Sequence, residues 1–205
     1  TNMRLLILFT STLLFIAINA NATHLVGGEM TYEYLGDDEY QITLIVYRDC
    51  SPDNVNETGF DDLAAIGIFE NGALFTSESV PIDTESVAEL PTPNEDPCVI
   101  IPTSVCIERA LYIVNINLPP SEFGYTIAYQ RCCRTPAIIN LILPEETGNT
   151  ILTTIPAAGL VNGNNSSPVF ESLPPAILCT GFEFIMDHSA VEADGDSLAY
   201  KFCNP

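Results

Sequence analysis

Tryptophan is absent from the 205 residues, lysine occurs once, at Lys201, and Lys and Arg together number 6 against 27 Asp and Glu. A formal charge of -21 excludes nucleic acid as a partner, because phosphate binding needs a basic surface. It disfavours an anionic membrane surface for the same reason. One lysine leaves little scope for amine chemistry. Histidine occurs only as His24 and His188, and neither sits in an H-E-x-x-H or G-x-S-x-G setting. Asp187 precedes His188, but neighbours in a strand point to opposite faces and do not make an oriented base. No C-x-x-C pair supplies zinc spacing, and glycosidase-type paired carboxylates cannot be picked out of so many acids. A secreted hydrolase therefore has no motif to rest on, and the chain is read as non-enzymatic.

Apolar residues are plentiful. They make up 47% of the chain and are dominated by strand-forming types, which argues for a packed core rather than disorder. The acidic surface has two ordinary uses, solubility through self-repulsion and the binding of divalent cations. Met3-Arg4 is followed by an apolar run from Leu5 to Ile18 and then Ala20-Asn21-Ala22. Residues 1–22 are thus predicted to be a secretory signal peptide. The run is short of the roughly 20 apolar residues a bilayer needs, so no membrane span is expected in the mature chain. Thr1 and Asn2 stand before the start methionine, which suggests a translated fragment with open ends.

Two-residue alternation recurs along the mature chain. "GEMTYEYL" places Met30, Tyr32 and Tyr34 on one face, and "EYQITLIVY" does the same for Tyr40, Ile42, Leu44 and Val46. Gly36-Asp37-Asp38 between them predicts a hairpin. "AAIGIFE" and "ALFTSESV" are joined by Asn71-Gly72, the dipeptide that best tolerates a type I′ turn. Residues 81–104 are rich in Pro and acid and read as a long loop. "CIERALYIVNINL" and "YTIAYQRCCR" are predicted to pair about "PPSEFG", with "AIINLIL" and "NTILTTI" as two further strands. Many short strands and almost no helix indicate an all-β sandwich. The expected organisation is an N-terminal β-sandwich over 23–158 and a small, polar linker over 159–167. Residues 168–205 come next as the incomplete start of a second, immunoglobulin-like or cadherin-like sandwich, too short to enclose a core unaided.

Seven cysteines in an exported chain, Cys50, Cys98, Cys106, Cys132, Cys133, Cys179 and Cys203, are read as disulfide partners. The odd count leaves one thiol over. Cys179–Cys203, Cys50 with Cys132 or Cys133, and Cys98–Cys106 are the favoured pairings. Arg131 and Arg134 flank "CC" and would favour a thiolate there, although a disulfide suits an exported protein better.

"VEADGDSLAYKF" puts Glu192, Asp194 and Asp196 into five residues. It is not an EF-hand, since Ser197 stands where Gly is needed and Cys203 where Glu is needed, and the residues after the acids alternate like a strand. An acidic loop ahead of a strand can meet a preceding linker and share Ca²⁺ with it, with Asn164 and Asn165 adding oxygens. "NNSSPVF" and "SAVEADGDSLAY" resemble the linker and acidic segment of cadherin-like repeats, with Glu192 replacing the usual first Asp. A solvated turn entering a strand is the competing reading of Asp194-Gly195-Asp196.

"ATHLVGGEMTYEYLGDDEYQITLIVYRDC", "YQRCCR" and "DHSAVEADGDSLAY" together are similar to the N-terminal region of large secreted gliding-motility-associated bacterial surface proteins. These carry cadherin-like or PKD-type β-sandwich repeats and a C-terminal type IX sorting domain. The resemblance implies adhesion or scaffolding at a bacterial cell surface, toward an extracellular protein or glycan target, with Ca²⁺ stiffening the junction between domains. The alternative is a carbohydrate-binding module that stacks Tyr32, Tyr34, Tyr47 or Tyr129 on sugar rings.

Overall fold

The structure, a computed structural model, describes residues 25–51, 59–91, 105–136, 138–160, 165–173, 175, 178, 180, 181 and 183–201. The predicted signal peptide, His24, Asn164, Cys98, Cys179 and Cys203 lie outside them. Seven strands run in chain order as β1 (Leu25–Gly36), β2 (Glu39–Asp49), β3 (Leu63–Glu70), β4 (Ala73–Glu89), β5 (Ile107–Asn117), β6 (Tyr125–Arg131) and β7 (Asn149–Ile155). They form one antiparallel sheet of order β1-β2-β5-β4-β3-β6-β7.

The long strand β4 folds that sheet over. Its first part pairs with β3, from Glu70↔Ala73 to Leu63↔Pro81, whereas Ile82, Asp83, Ala88 and Glu89 pair with β5. One strand therefore belongs to both halves, and the molecule is sandwich-like, all-β and closed around one core. The first and last strands meet across that core, since a side chain added at Gly28 of β1 would run into Ile151 of β7.

Alternation decides what is buried. Ile42, Leu44 and Val46 of β2 are enclosed, as are Ile66 and Ile68 of β3 and Ile127 of β6. The hairpins form as their turn residues require. Asp37 and Asp38 both take positive φ between β1 and β2, and so do Asn71 and Gly72 between β3 and β4.

Three expectations for the sandwich strands fail. Strands β5 and β6 do not pair with each other: β5 lies between β2 and β4, and β6 between β3 and β7. Both edges of each are taken, so the intervening segment crosses between halves, anchored by buried Leu118 and by the Tyr125 hydroxyl donating to the Pro119 carbonyl at 2.8 Å. Alternation reports which face a residue occupies and carries no information about which strand lies alongside. Within the predicted loop 81–104, residues 81–89 are strand. The described residues of "AIINLIL", 138–143, form no strand either. Residues 138–143 make turns ahead of a single 3-10 turn at Pro144–Glu146, with Ile139 98% and Ile142 89% exposed.

The disulfides obey the strand order. Cys50 joins Cys106, and Cys132 joins its neighbour Cys133. This corrects the expected Cys50–Cys132/Cys133 and Cys98–Cys106 pairings. The ladder pairs Asp49 with Ile107, so Cys50 and Cys106 emerge side by side, and the Cys50 amide donates to the Cys106 carbonyl at 2.9 Å.

Beyond the sandwich, β8 (Val169–Phe170) and β9 (Ala190–Val191) form a two-rung antiparallel ladder. The expected strand after the acids does not form, because residues 197–201 have no ladder partner among the described residues.

Candidate functional site

Among the described residues no other strand pairs with β1 along the edge away from β2, so the amides there need partners. Residues 165–167 supply them. The Ser167 amide donates to the Tyr32 carbonyl at 2.8 Å, the Tyr32 amide donates to Ser167 Oγ at 2.9 Å, and the Tyr34 amide donates to Ser166 Oγ at 3.2 Å. The Tyr32 hydroxyl donates to Asn165 Oδ1 at 2.7 Å. What reads in sequence as a polar linker thus ends as a short edge cover on β1. Ser166 and Ser167 were invisible as contacts, since small polar residues after Asn-Asn carry the same signal in a free linker.

The acidic turn meets this cover. Asp194 Oδ2 accepts the Ser166 amide at 2.5 Å, and Ser166 is buried there. Gly195 takes φ +85°, which favours glycine, and the turn closes as the Asp196 amide donates to Glu192 Oε2 at 2.7 Å. Glu192 Oε1 is shielded from solvent and has no hydrogen-bond partner among the described residues. The negative charge of the turn reaches β1. The Tyr32 hydroxyl is held well above its ordinary range, first by burial, then by Tyr40, Asp194, Asp196 and Glu192.

Sequence reasoning paired the acidic turn with the linker, and the structure brings Asp194 and the Asn165–Ser167 segment together. It does not gather Glu192, Asp194 and Asp196 into a cage. Among the described residues no three His, Cys, Asp or Glu side chains converge to hold a metal. The chemistry present is all oxygen, as calcium requires, but calcium takes six to eight ligands. Asp194 Oδ2, Glu192 Oε2 and Asn165 Oδ1 are each engaged in protein hydrogen bonds, and Glu192 Oε1 is the shielded oxygen without a partner among the described residues.

The tyrosines nominated for sugar stacking are not free platforms. Tyr32 and Tyr129 are buried. Tyr129 donates its hydroxyl to Asp61 Oδ2 at 3.0 Å, beside the Arg131–Asp61 ion pair, while Tyr112 donates to the Asp61 carbonyl at 2.7 Å. Tyr47 donates to Glu29 at 2.8 Å, and the Tyr34 ring packs edge-on against Tyr40 at 5.1 Å. Burial of an amphipathic ring with its hydroxyl satisfied is a core role. His188 is exposed against Phe170, and Asp187 accepts the Ser189 amide at 2.8 Å, a contact that lowers the Asp187 pKa.

A cleft of about 210 Å³ lies beside the junction, lined in part by Asp38, Tyr40, Pro119, Ser121, Tyr125 and Asn165. Comparison with protein-family models, with curated proteins and with solved structures finds no match to this chain.

Proposed function

We propose that this is a secreted or cell-surface protein with an adhesive or scaffolding role and no catalytic centre, built to hold a disulfide-tied β-sandwich in a set relation to the acidic turn beyond its linker. The observation that supports this reading is the docked junction. Among the described residues, six hydrogen bonds tie Asn165, Ser166 and Ser167 to Tyr32, Tyr34 and Asp194. Such fixing of a connecting segment suits a spacer that transmits force better than a flexible tether.

Calcium at this junction is the second part of the proposal, and it rests on Glu192 Oε1. A shielded carboxylate oxygen without a partner is costly. A divalent cation held by Glu192, Asp194 and the oxygens of residues around Asn165 would satisfy it. Bound there, Ca²⁺ supplies charge neutralisation in the acidic turn. Calorimetric titration of the protein with CaCl₂, repeated on Glu192→Gln, tests this part. Saturable heat that disappears in the variant supports it, and absence of heat removes calcium while leaving the hydrogen-bonded junction in place.

The alternative, a carbohydrate-binding module, is favoured by the cleft at Tyr40. Two aromatic rings and several polar groups line one concavity, the composition of a small-ligand site. A glycan array separates the readings: binding that is lost in Tyr40→Ala would replace the adhesive spacer with a sugar module.

A further inference from the structure

Among the described residues, the cysteine motif left without a role is "RCCR". Its two cysteines are bonded to each other at the end of β6. Cys132 is exposed, whereas Cys133 is 9% exposed. The Cys50–Cys106 bridge differs on both counts that govern its chemistry: its cysteines are half-buried, and it spans a sequence separation of 56. Arg131 and Arg134, two of only six basic residues in the chain, flank the pair. Arg131 is shared with Asp61, and Arg134 with the Gly148 carbonyl and Asn149 Oδ1.

The position of the pair also matters. Here β1 is closed against the chain leaving β6. The Leu25 amide donates to the Cys133 carbonyl at 3.4 Å, the Thr135 amide donates back to the Leu25 carbonyl at 3.3 Å, and Leu25 and Arg134 form a parallel bridge. The Arg134 amide donates to the Pro144 and Thr147 carbonyls. One seam thus joins the start of β1, the cysteine pair and the 3-10 turn at Pro144–Glu146.

We propose that Cys132–Cys133 is a thiol–disulfide exchange site, reduced by dithiols while Cys50–Cys106 stays closed, and that its state sets how tightly this seam is held. A thiolate of the dithiol attacks Sγ of the exposed Cys132. A mixed disulfide forms, and the Cys132–Cys133 bond breaks to release the Cys133 thiolate. The second thiol of the reagent, as its thiolate, then attacks its own sulfur in the mixed disulfide. The cyclic disulfide of the reagent forms and the Cys132 thiolate leaves. Two electrons pass from the dithiol to the pair, and the two protons of the reagent's thiols end on Cys132 and Cys133. Access selects the attacked sulfur.

Timed reduction of the native protein with dithiothreitol, alkylation and peptide mapping tests the assignment, with hydrogen exchange read on the same samples. Cys132 and Cys133 should be labelled about tenfold faster than Cys50 and Cys106. Exchange at the amides of Leu25, Arg134 and Thr135 should rise while the Cys50 amide stays protected. The variant Cys132→Ser/Cys133→Ser should show the same raised exchange without reductant. Equal or slower labelling of Cys132 and Cys133 overturns the exchange site. Unchanged protection at Leu25 and Thr135 once the pair is labelled overturns its control of the seam.

Discussion

Asp194 Oδ2 accepts the backbone amide of Ser166 at 2.5 Å across a sequence separation of 28. An acid from the turn at residues 192–196 thereby fixes the segment that covers the free edge of β1.

Loss of that acceptor should loosen the cover and leave the core intact. Asp194→Ala is expected to cost about 1 kcal/mol at this contact, the scale of a partly exposed charge-assisted hydrogen bond. Hydrogen exchange should show weaker protection of the Ser166 and Ser167 amides and no change at Ile66 or Ile127. Unaltered protection at Ser166 would rule out Asp194 as the clamp.

The two bridges should differ sharply in what they contribute to stability. Closing a loop as long as that between Cys50 and Cys106 restricts the unfolded chain, so Cys50→Ser/Cys106→Ser is expected to lose about 4 kcal/mol. The neighbouring pair closes no intervening residues and restricts it far less. Urea unfolding of both double variants measures the contrast, with the larger fall in midpoint expected for the first.

Gly124 has φ +69°, and an added Cβ would overlap the Ile155 carbonyl, with the Ala157 nitrogen at 2.8 Å and the Pro156 carbonyl carbon at 2.9 Å. These are backbone atoms and cannot turn aside. Gly124→Ala is therefore expected to destabilise by about 2 kcal/mol or more, read as a lower melting temperature. Gly72→Ala has positive φ but open space around its Cβ and should cost less.

The buried tyrosines make the sandwich sensitive to alkali. Burial pushes the Tyr112 hydroxyl up to about 12 from an ordinary value of 10.0, with Asp61 adding to the shift. Tyr32, Tyr47 and Tyr129 are also raised, burial again the largest cause. Below pH 10 both folded and unfolded chains keep these protons, so this contribution is fully present. Above it the unfolded chain holds fewer protons than the folded one, and stability falls as pH rises. Unfolding free energy should be flat with respect to these groups below pH 10 and decline toward pH 12. Tyrosinate absorbance should appear together with loss of the circular-dichroism signal, and smooth titration of all tyrosines in a still-folded chain would contradict their burial.

Much of this architecture was legible in the residues. Alternation at Ile42, Leu44 and Val46, the Asn71-Gly72 turn and the run "NTILTTI" identify strands and hairpins because side-chain period and positive φ are local properties. The acidic turn and the Asn-rich linker were likewise legible as partners in one region. The ligand geometry was not, because which oxygen of Asp194 or Glu192 is taken by an amide depends on residues distant in sequence.

By itself, the sequence determined the all-β class, the turn chemistry, the acidic surface and which faces are apolar, all consequences of residue type and short-range spacing. Tertiary structure alone decided the neighbours. The placement of β5 between β2 and β4 set the Cys50–Cys106 bridge, the meeting of β1 with the end of β6 set the seam at Cys133, and the free edge of β1 set where Ser166 and Ser167 dock. Strand order is fixed by which hydrogen-bonding edges remain open once the core is packed, and an open edge leaves no pattern in the strand that carries it.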